Sequence, residues 1–121
     1  MQETPPRDLK DRTYFFARRI IALYMALPKS TLSQVLGKQA LRSGTSVGAN
    51  YREAFRSRSK AEFVAKMGEC LRELDETEYW LELLVDESII SRKRMSALLD
   101  ETRQLMAIFV TIIKKARNND P

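Results

Sequence analysis

Phe63, Met67, Cys70, Leu74, Thr77, Leu81 and Leu84 succeed one another at alternating steps of four and three residues, without a miss. That spacing returns every member to one side of an α-helix, whereas a strand, with its period of two, would scatter them over both faces. Val64, Leu71 and Val85 widen the stripe at sevenfold spacing. Ser59 with Glu62 forms a capping box ahead of it, so the pattern predicts a helix over 60–87, roughly 40 Å long at about 1.5 Å per residue.

Three further segments repeat the pattern. Leu9, Thr13, Phe16, Ile20, Leu23 and Leu27 predict a helix over 8–26, stopped by Pro28, which lacks a donor and crowds the preceding turn. Ser30 or Thr31 can cap a helix over 31–55, with Gln34 as the capping-box partner of Thr31. Its stripe is Leu32, Leu36, Ala40, Ser43, Val47, Asn50 and Ala54. Met95, Leu98, Thr102, Leu105, Phe109, Ile112 and Ala116 predict a last helix over 92–116, followed by a frayed tail from Asn118 to Pro121. Short connections force neighbours to run antiparallel. The expected architecture is therefore one all-α domain over 1–121, an up-down-up-down four-helix bundle. A long two-helix hairpin or a swapped coiled coil satisfies the same periodicity, and the bundle is preferred over both.

Composition narrows the chemistry. There is no histidine, which removes the commonest general base and the commonest metal ligand. Cys70 is the single cysteine, lies on the core stripe, and reads as a small buried apolar residue. No catalytic constellation, cofactor motif or metal site is expected. The first residues, Met1 to Arg7, lack the pattern of a signal peptide. Apolar runs such as Ile108-Phe109-Val110 fall far short of the roughly 20 residues that cross a bilayer. The expected compartment is the cytoplasm, with no membrane partner.

The net charge of +5 conceals a segregation. Residues 1–59 hold eleven Lys/Arg against four Asp/Glu, residues 60–87 three against nine, and residues 88–121 seven against three. One acidic helix between basic neighbours can be matched inside the fold, or the basic residues can form a surface for nucleic acid. Arg52, Arg56, Arg58 and Lys60 gather around the second connection, and Arg18, Arg19 and Arg92-Lys93-Arg94 are read as adding to them. Without a recognisable nucleic-acid module, a solvated face is the competing reading.

Several residues interrupt the helical logic. Gly44 and Gly48 each cost about 1 kcal/mol relative to Ala in a helix interior, and their small size admits a close backbone from the adjacent helix or from another subunit. Asn50 falls on the core stripe and Glu78 where an apolar residue is expected. A polar layer across the bundle, linking Arg42, Asn50, Glu53, Glu73 and Glu76, would satisfy such groups and fix register. Tyr79 and Trp80 flank the third stripe and suit either the bundle edge or a subunit contact.

The run Ser46-Val47-Gly48-Ala49-Asn50-Tyr51-Arg52-Glu53-Ala54, then Ser59 and Phe63, then Glu73-Leu74-Asp75-Glu76-Thr77-Glu78-Tyr79-Trp80-Leu81, resembles the four-helix-bundle proteins of the ribosomal RNA intervening-sequence type. The resemblance covers most of the chain and is sharpest from Leu41 to Leu84. It implies an up-and-down subunit and a pentameric ring. It also implies likeness to the accessory variability proteins of diversity-generating retroelements, basic pentamers that engage a reverse transcriptase and nucleic acid. Some members are encoded within insertions in large-subunit ribosomal RNA genes, which describes where the genes lie and not a ribosomal role. By the same resemblance Arg42, Ser46, Asn50, Glu53, Glu73, Glu76 and Thr77 are where shared polar contacts are expected. The expected function is a non-catalytic homo-oligomer that binds RNA, DNA or a nucleic-acid-processing protein. A pure protein-interaction scaffold is the alternative, and an enzyme using the Glu73 and Glu76 carboxylates a distant third.

Overall fold

A computed structural model describes residues 8–118 and consists of helices α1 (Leu9–Ala26), α2 (Thr31–Phe55), α3 (Lys60–Asp86) and α4 (Arg92–Asn118). These bounds lie within two residues of those read from periodicity. The expected tail beyond Asn118 lies outside the described residues, and Asn118 itself still belongs to α4.

Caps set the boundaries. Asp8 accepts from the Asp11 N–H at 2.9 Å, Ser59 from Glu62 at 3.1 Å, and Ser91 from Arg94 at 3.2 Å, each satisfying a donor the first turn leaves open. Ser30, not Thr31, caps α2, taking the Ser33 N–H at 3.2 Å. Gln34 consequently has a different task. Its amide donates to the Pro28 carbonyl at 3.0 Å and accepts from the Tyr24 hydroxyl at 2.9 Å, fastening the end of α1 to the start of α2.

The end of α3 is a Schellman turn. The Ser88 N–H reaches the Val85 carbonyl at 2.9 Å and the Ile89 N–H the Leu84 carbonyl at 3.0 Å. Ser88 stands at φ 60°, a left-handed conformation that favours glycine. The turn carries Ile89 and Ile90 back against the bundle, where both are half-buried.

Close packing joins α1 to α2, α2 to α3, and α3 to α4. Cross-helix pairs fix the antiparallel sense: Ser43 meets Thr77, Glu53 meets Lys66, and Arg12 meets Glu101. Phe16, Ile20, Val47, Met67, Leu74, Leu81, Leu84, Met95, Leu105 and Phe109 are essentially inaccessible. Each such side chain contributes about 1.5–3 kcal/mol of burial relative to exposure.

The inward stripes hold with two drifts. Leu32 is 48% exposed, so the core face of α2 begins at Ser33 and Leu36. Further along, Asn50 is only half-buried while Tyr51 turns its ring edge-on to Phe109, with centroids 6.0 Å apart. An α-helix falls about 20° per heptad behind a strict seven-residue repeat, so the inward position passes from 50 to 51 near the end of a long helix. The same drift makes Ile113 buried and Ile112 only partly so.

The glycines of α2 answer the choice left open by the sequence: their close neighbour is α1 of the same chain. A Cβ at Gly44 would sit 2.7 Å from Ile20 Cγ1, and one at Gly48 3.3 Å from Thr13 Oγ1. Gly37, which the sequence reading passed over, is equally constrained by Leu27 and Tyr24. Its place one heptad before Gly44 was the available signal.

Candidate nucleic-acid interface

Polar groups line the seam between α2 and α3. Arg42 pairs with Glu76, and its second amino group stands 3.6 Å from Glu73 Oε1, close enough for attraction but without hydrogen-bond geometry. The Trp80 indole N–H donates to Glu76 Oε2 at 3.1 Å, which turns the ring along the seam and brings it edge-on to Tyr79. Beneath these residues, Thr77 donates to the Glu73 carbonyl at 2.7 Å. Its hydrogen is thereby committed, so Ser43 is the donor in the fully buried 2.7 Å contact between the two hydroxyls. Cys70 hydrogen-bonds the Val47 carbonyl at 3.6 Å, and burial above all pushes its thiol up to about 12.

The expected polar layer therefore runs along one seam and does not cross the bundle. Arg42, Glu73, Glu76 and Thr77 come together, joined by Ser43 and Trp80, which the sequence reading left out of that layer. Ser46 donates only to the Arg42 carbonyl in its own helix, at 2.7 Å. Asn50 makes no side-chain hydrogen bond among the described residues. Glu53 lies farther along and takes Lys66 at 2.7 Å, the contact that raises the Lys66 pKa. Glu78 faces α4, accepting from Arg103 at 2.6 Å. The acidic third helix is thus matched in part by α2 and α4 within the chain.

A different population of cations gathers at one end of the molecule. The antiparallel arrangement brings the N-terminus of α1, the C-terminus of α2, the N-terminus of α3 and the C-terminus of α4 to one end of the bundle. Arg52, Arg56, Arg58 and Lys60 stand there with Lys10, Lys114, Lys115 and Arg117. A groove of about 390 Å³ between α1 and α2 is lined by Lys10, Tyr14, Gly48, Arg52 and Arg56, among others. Lys10, Arg52 and Arg56 make no ion pair among the described residues. Phe55 is 73% exposed beside them, and Tyr14 lies half-exposed on the groove's other wall.

Not every basic residue joins this end. Arg18 shares an outward face of α1 with Tyr14, one turn away, while Arg19 points to the opposite flank, toward α4. Arg92-Lys93-Arg94 opens α4 at the far end of the molecule, so this triplet does not add to the cluster around the second connection. Antiparallel pairing separates them by a helix length. Lys10, Tyr14 and Phe55 were not singled out from the sequence, because their approach to Arg52 depends on how α1 docks.

Among the described residues no group of acidic, Cys or His side chains is arranged to hold a metal ion, and no helix is long and apolar enough to cross a membrane. The class defined by this architecture is the antiparallel four-helix bundle, with a charged seam on one side and a basic end. The chain belongs to the 23S rRNA-intervening sequence protein family, whose profile matches residues 8–111. This bears out the resemblance carried by the motifs around Asn50 and Glu76. A crystal structure at 1.70 Å of a protein of unknown function, from the S23 ribosomal protein family of Bacteroides thetaiotaomicron, is similar with a TM-score of 0.84 and 41% identity, covering 88% of this chain and 99% of that one. No curated protein matches the sequence significantly.

Proposed function

We propose that the protein is a non-catalytic helical scaffold, pentameric and cytoplasmic, that engages RNA, DNA or a nucleic-acid-processing protein through its basic end. The observation that carries this reading is the groove of Lys10, Arg52 and Arg56 between the exposed rings of Tyr14 and Phe55. Unpaired cations attract phosphates without regard to sequence, and exposed aromatic faces can stack on unpaired bases. A ring of subunits would repeat the groove and multiply a weak attraction.

Anisotropy titration of a structured RNA and a DNA duplex tests it. Three neutralised phosphates per groove would lower affinity roughly 40-fold between about 50 and 200 mM salt. Arg52→Glu with Arg56→Glu should abolish low-salt binding. Absence of binding to either nucleic acid at low salt would leave the second reading, a scaffold for protein contacts alone. That reading draws on the outward face of α1, where Ile21 is 41% and Met25 74% exposed, and on Leu32 and Val35 of α2. Light scattering of the wild type, and of Met25→Glu, measures the assembly that this apolar surface supports.

A further inference from the structure

The flank between α1 and α4 is closed at one end and open at the other. At the closed end Arg12 holds Glu101 through Nε at 2.8 Å and Nη2 at 2.9 Å, and reaches Gln104 at 2.8 Å. Toward the other end the flank opens into a cleft of about 470 Å³. Its apolar wall is built from Leu23, Ile89, Ile90, Met95 and Leu98. The two charged residues lining it are Arg19 from α1 and Arg94 from α4, and no acidic residue lines it. Neither guanidinium has a carboxylate partner among the described residues. The same flank that supplies Glu101 for Arg12 supplies nothing for these two.

We propose that this cleft binds a small amphipathic carboxylate, with the acyl chain on the Leu23–Ile90–Met95 wall and the carboxylate between Arg19 and Arg94. Charge complementarity selects the head group. Two arginines lining one cleft from different helices favour an anion that can accept several N–H donors, and a carboxylate can take a guanidinium in paired hydrogen bonds. The apolar wall selects a tail. A volume of about 470 Å³ lies in the range of small-molecule sites, and here an apolar wall stands beside a substantial polar share of the lining. Between Arg19 and Ala26 α1 rises about 10 Å, which sets the scale of a medium-length chain. The cleft lies at the far end from the Arg52–Arg56 groove, so occupancy is separable from nucleic-acid binding.

The probe is decanoate, titrated well below its micellar concentration into the full-length protein and followed by amide chemical shifts. The expected result is saturable shifts centred on Ala22, Ala26, Ile89 and Ile90. Affinity should fall at least tenfold in Arg19→Gln/Arg94→Gln and be lost in Ala22→Phe, which fills the cleft and keeps both charges. Unchanged far-ultraviolet circular dichroism certifies that these variants fold. Acetate, with the head and no tail, and decyltrimethylammonium, with the tail and the opposite charge, should each bind at least tenfold more weakly. Equal binding of decyltrimethylammonium would overturn the proposal by showing a merely greasy surface. Equal binding of acetate, shifts centred elsewhere, or a cleft kept from decanoate by a second copy or an acidic peptide would overturn it as well.

Discussion

The α2–α3 seam and the α1–α4 flank are built from the same kinds of residue and end up with opposite properties. Along α2–α3 successive levels are paired: Lys66 with Glu53, Cys70 with the Val47 carbonyl, Arg42 with Glu76, and Ser43 with Thr77. Along α1–α4 an arginine clasp secures one end, and the two arginines at the other have no carboxylate partner among the described residues. The difference follows from which surfaces the chain leaves to solvent or ligand. Charge matched within the fold holds register, whereas charge left over is available for recognition.

The largest expected contrast is chemical. Cys70 is sealed within the α2–α3 seam, and its raised pKa depletes the thiolate on the order of a thousandfold relative to an ordinary thiol. Thiol labelling at neutral pH should therefore report only unfolding. Because the folded value, about 12, lies above the usual 9.0, this group contributes stability that is complete below about 9 and is lost as pH climbs through 12. Rapid labelling under native conditions would break the picture of a sealed seam.

Next in size is a pair of truncations. Leu74→Ala empties a fully buried site and should cost about 2–5 kcal/mol, whereas Leu23→Ala, at the open cleft, should cost less than about 1 kcal/mol. Urea denaturation of both variants decides it, and equal losses would erase the distinction between the two regions. A smaller contrast comes from polar groups. Thr77→Val removes the nearer partner of the buried Ser43 hydroxyl, leaving it the Ala40 carbonyl at 3.4 Å, and should cost about 1–3 kcal/mol, while Arg12→Met on the part-buried clasp should cost about 1 kcal/mol, by the same measurement. Smallest is Ser88→Gly, which relieves the left-handed residue above the cleft and should raise stability by about 0.5–1 kcal/mol in a thermal melt.

Helix positions were legible because alternating steps of three and four residues have a single geometric solution, and because Ser59–Glu62 and Pro28 punctuate the chain where chain direction must change. Arg42, Glu73 and Glu76 were expected in one polar layer, but together with Asn50 and Glu53, which stand apart from them, and Thr77 joined that expectation only through the family resemblance. The place of Asn50 was not legible. A strict repeat assigns it inward, and only accumulated drift over a long α2 reveals Tyr51 as the residue that replaces it. Nor was the groove beside Arg52 legible, because Lys10, Tyr14 and Phe55 meet across a helix pair whose closeness depends on Gly37, Gly44 and Gly48 acting together. Periodicity within a helix tells which side faces in; it is silent on how far a neighbour is rotated.

The Arg12–Glu101 clasp has a kinetic consequence. It joins residues 89 positions apart, whereas the tightly packed helix pairs are consecutive in the chain and can dock as local hairpins. Loop closure disfavours the distant pairing until the rest is organised, so the clasp belongs to the last step of assembly and to the first excursion away from the native state. Amides of α1 and α4 bordering that flank should accordingly exchange with solvent deuterium sooner than those of α2 and α3.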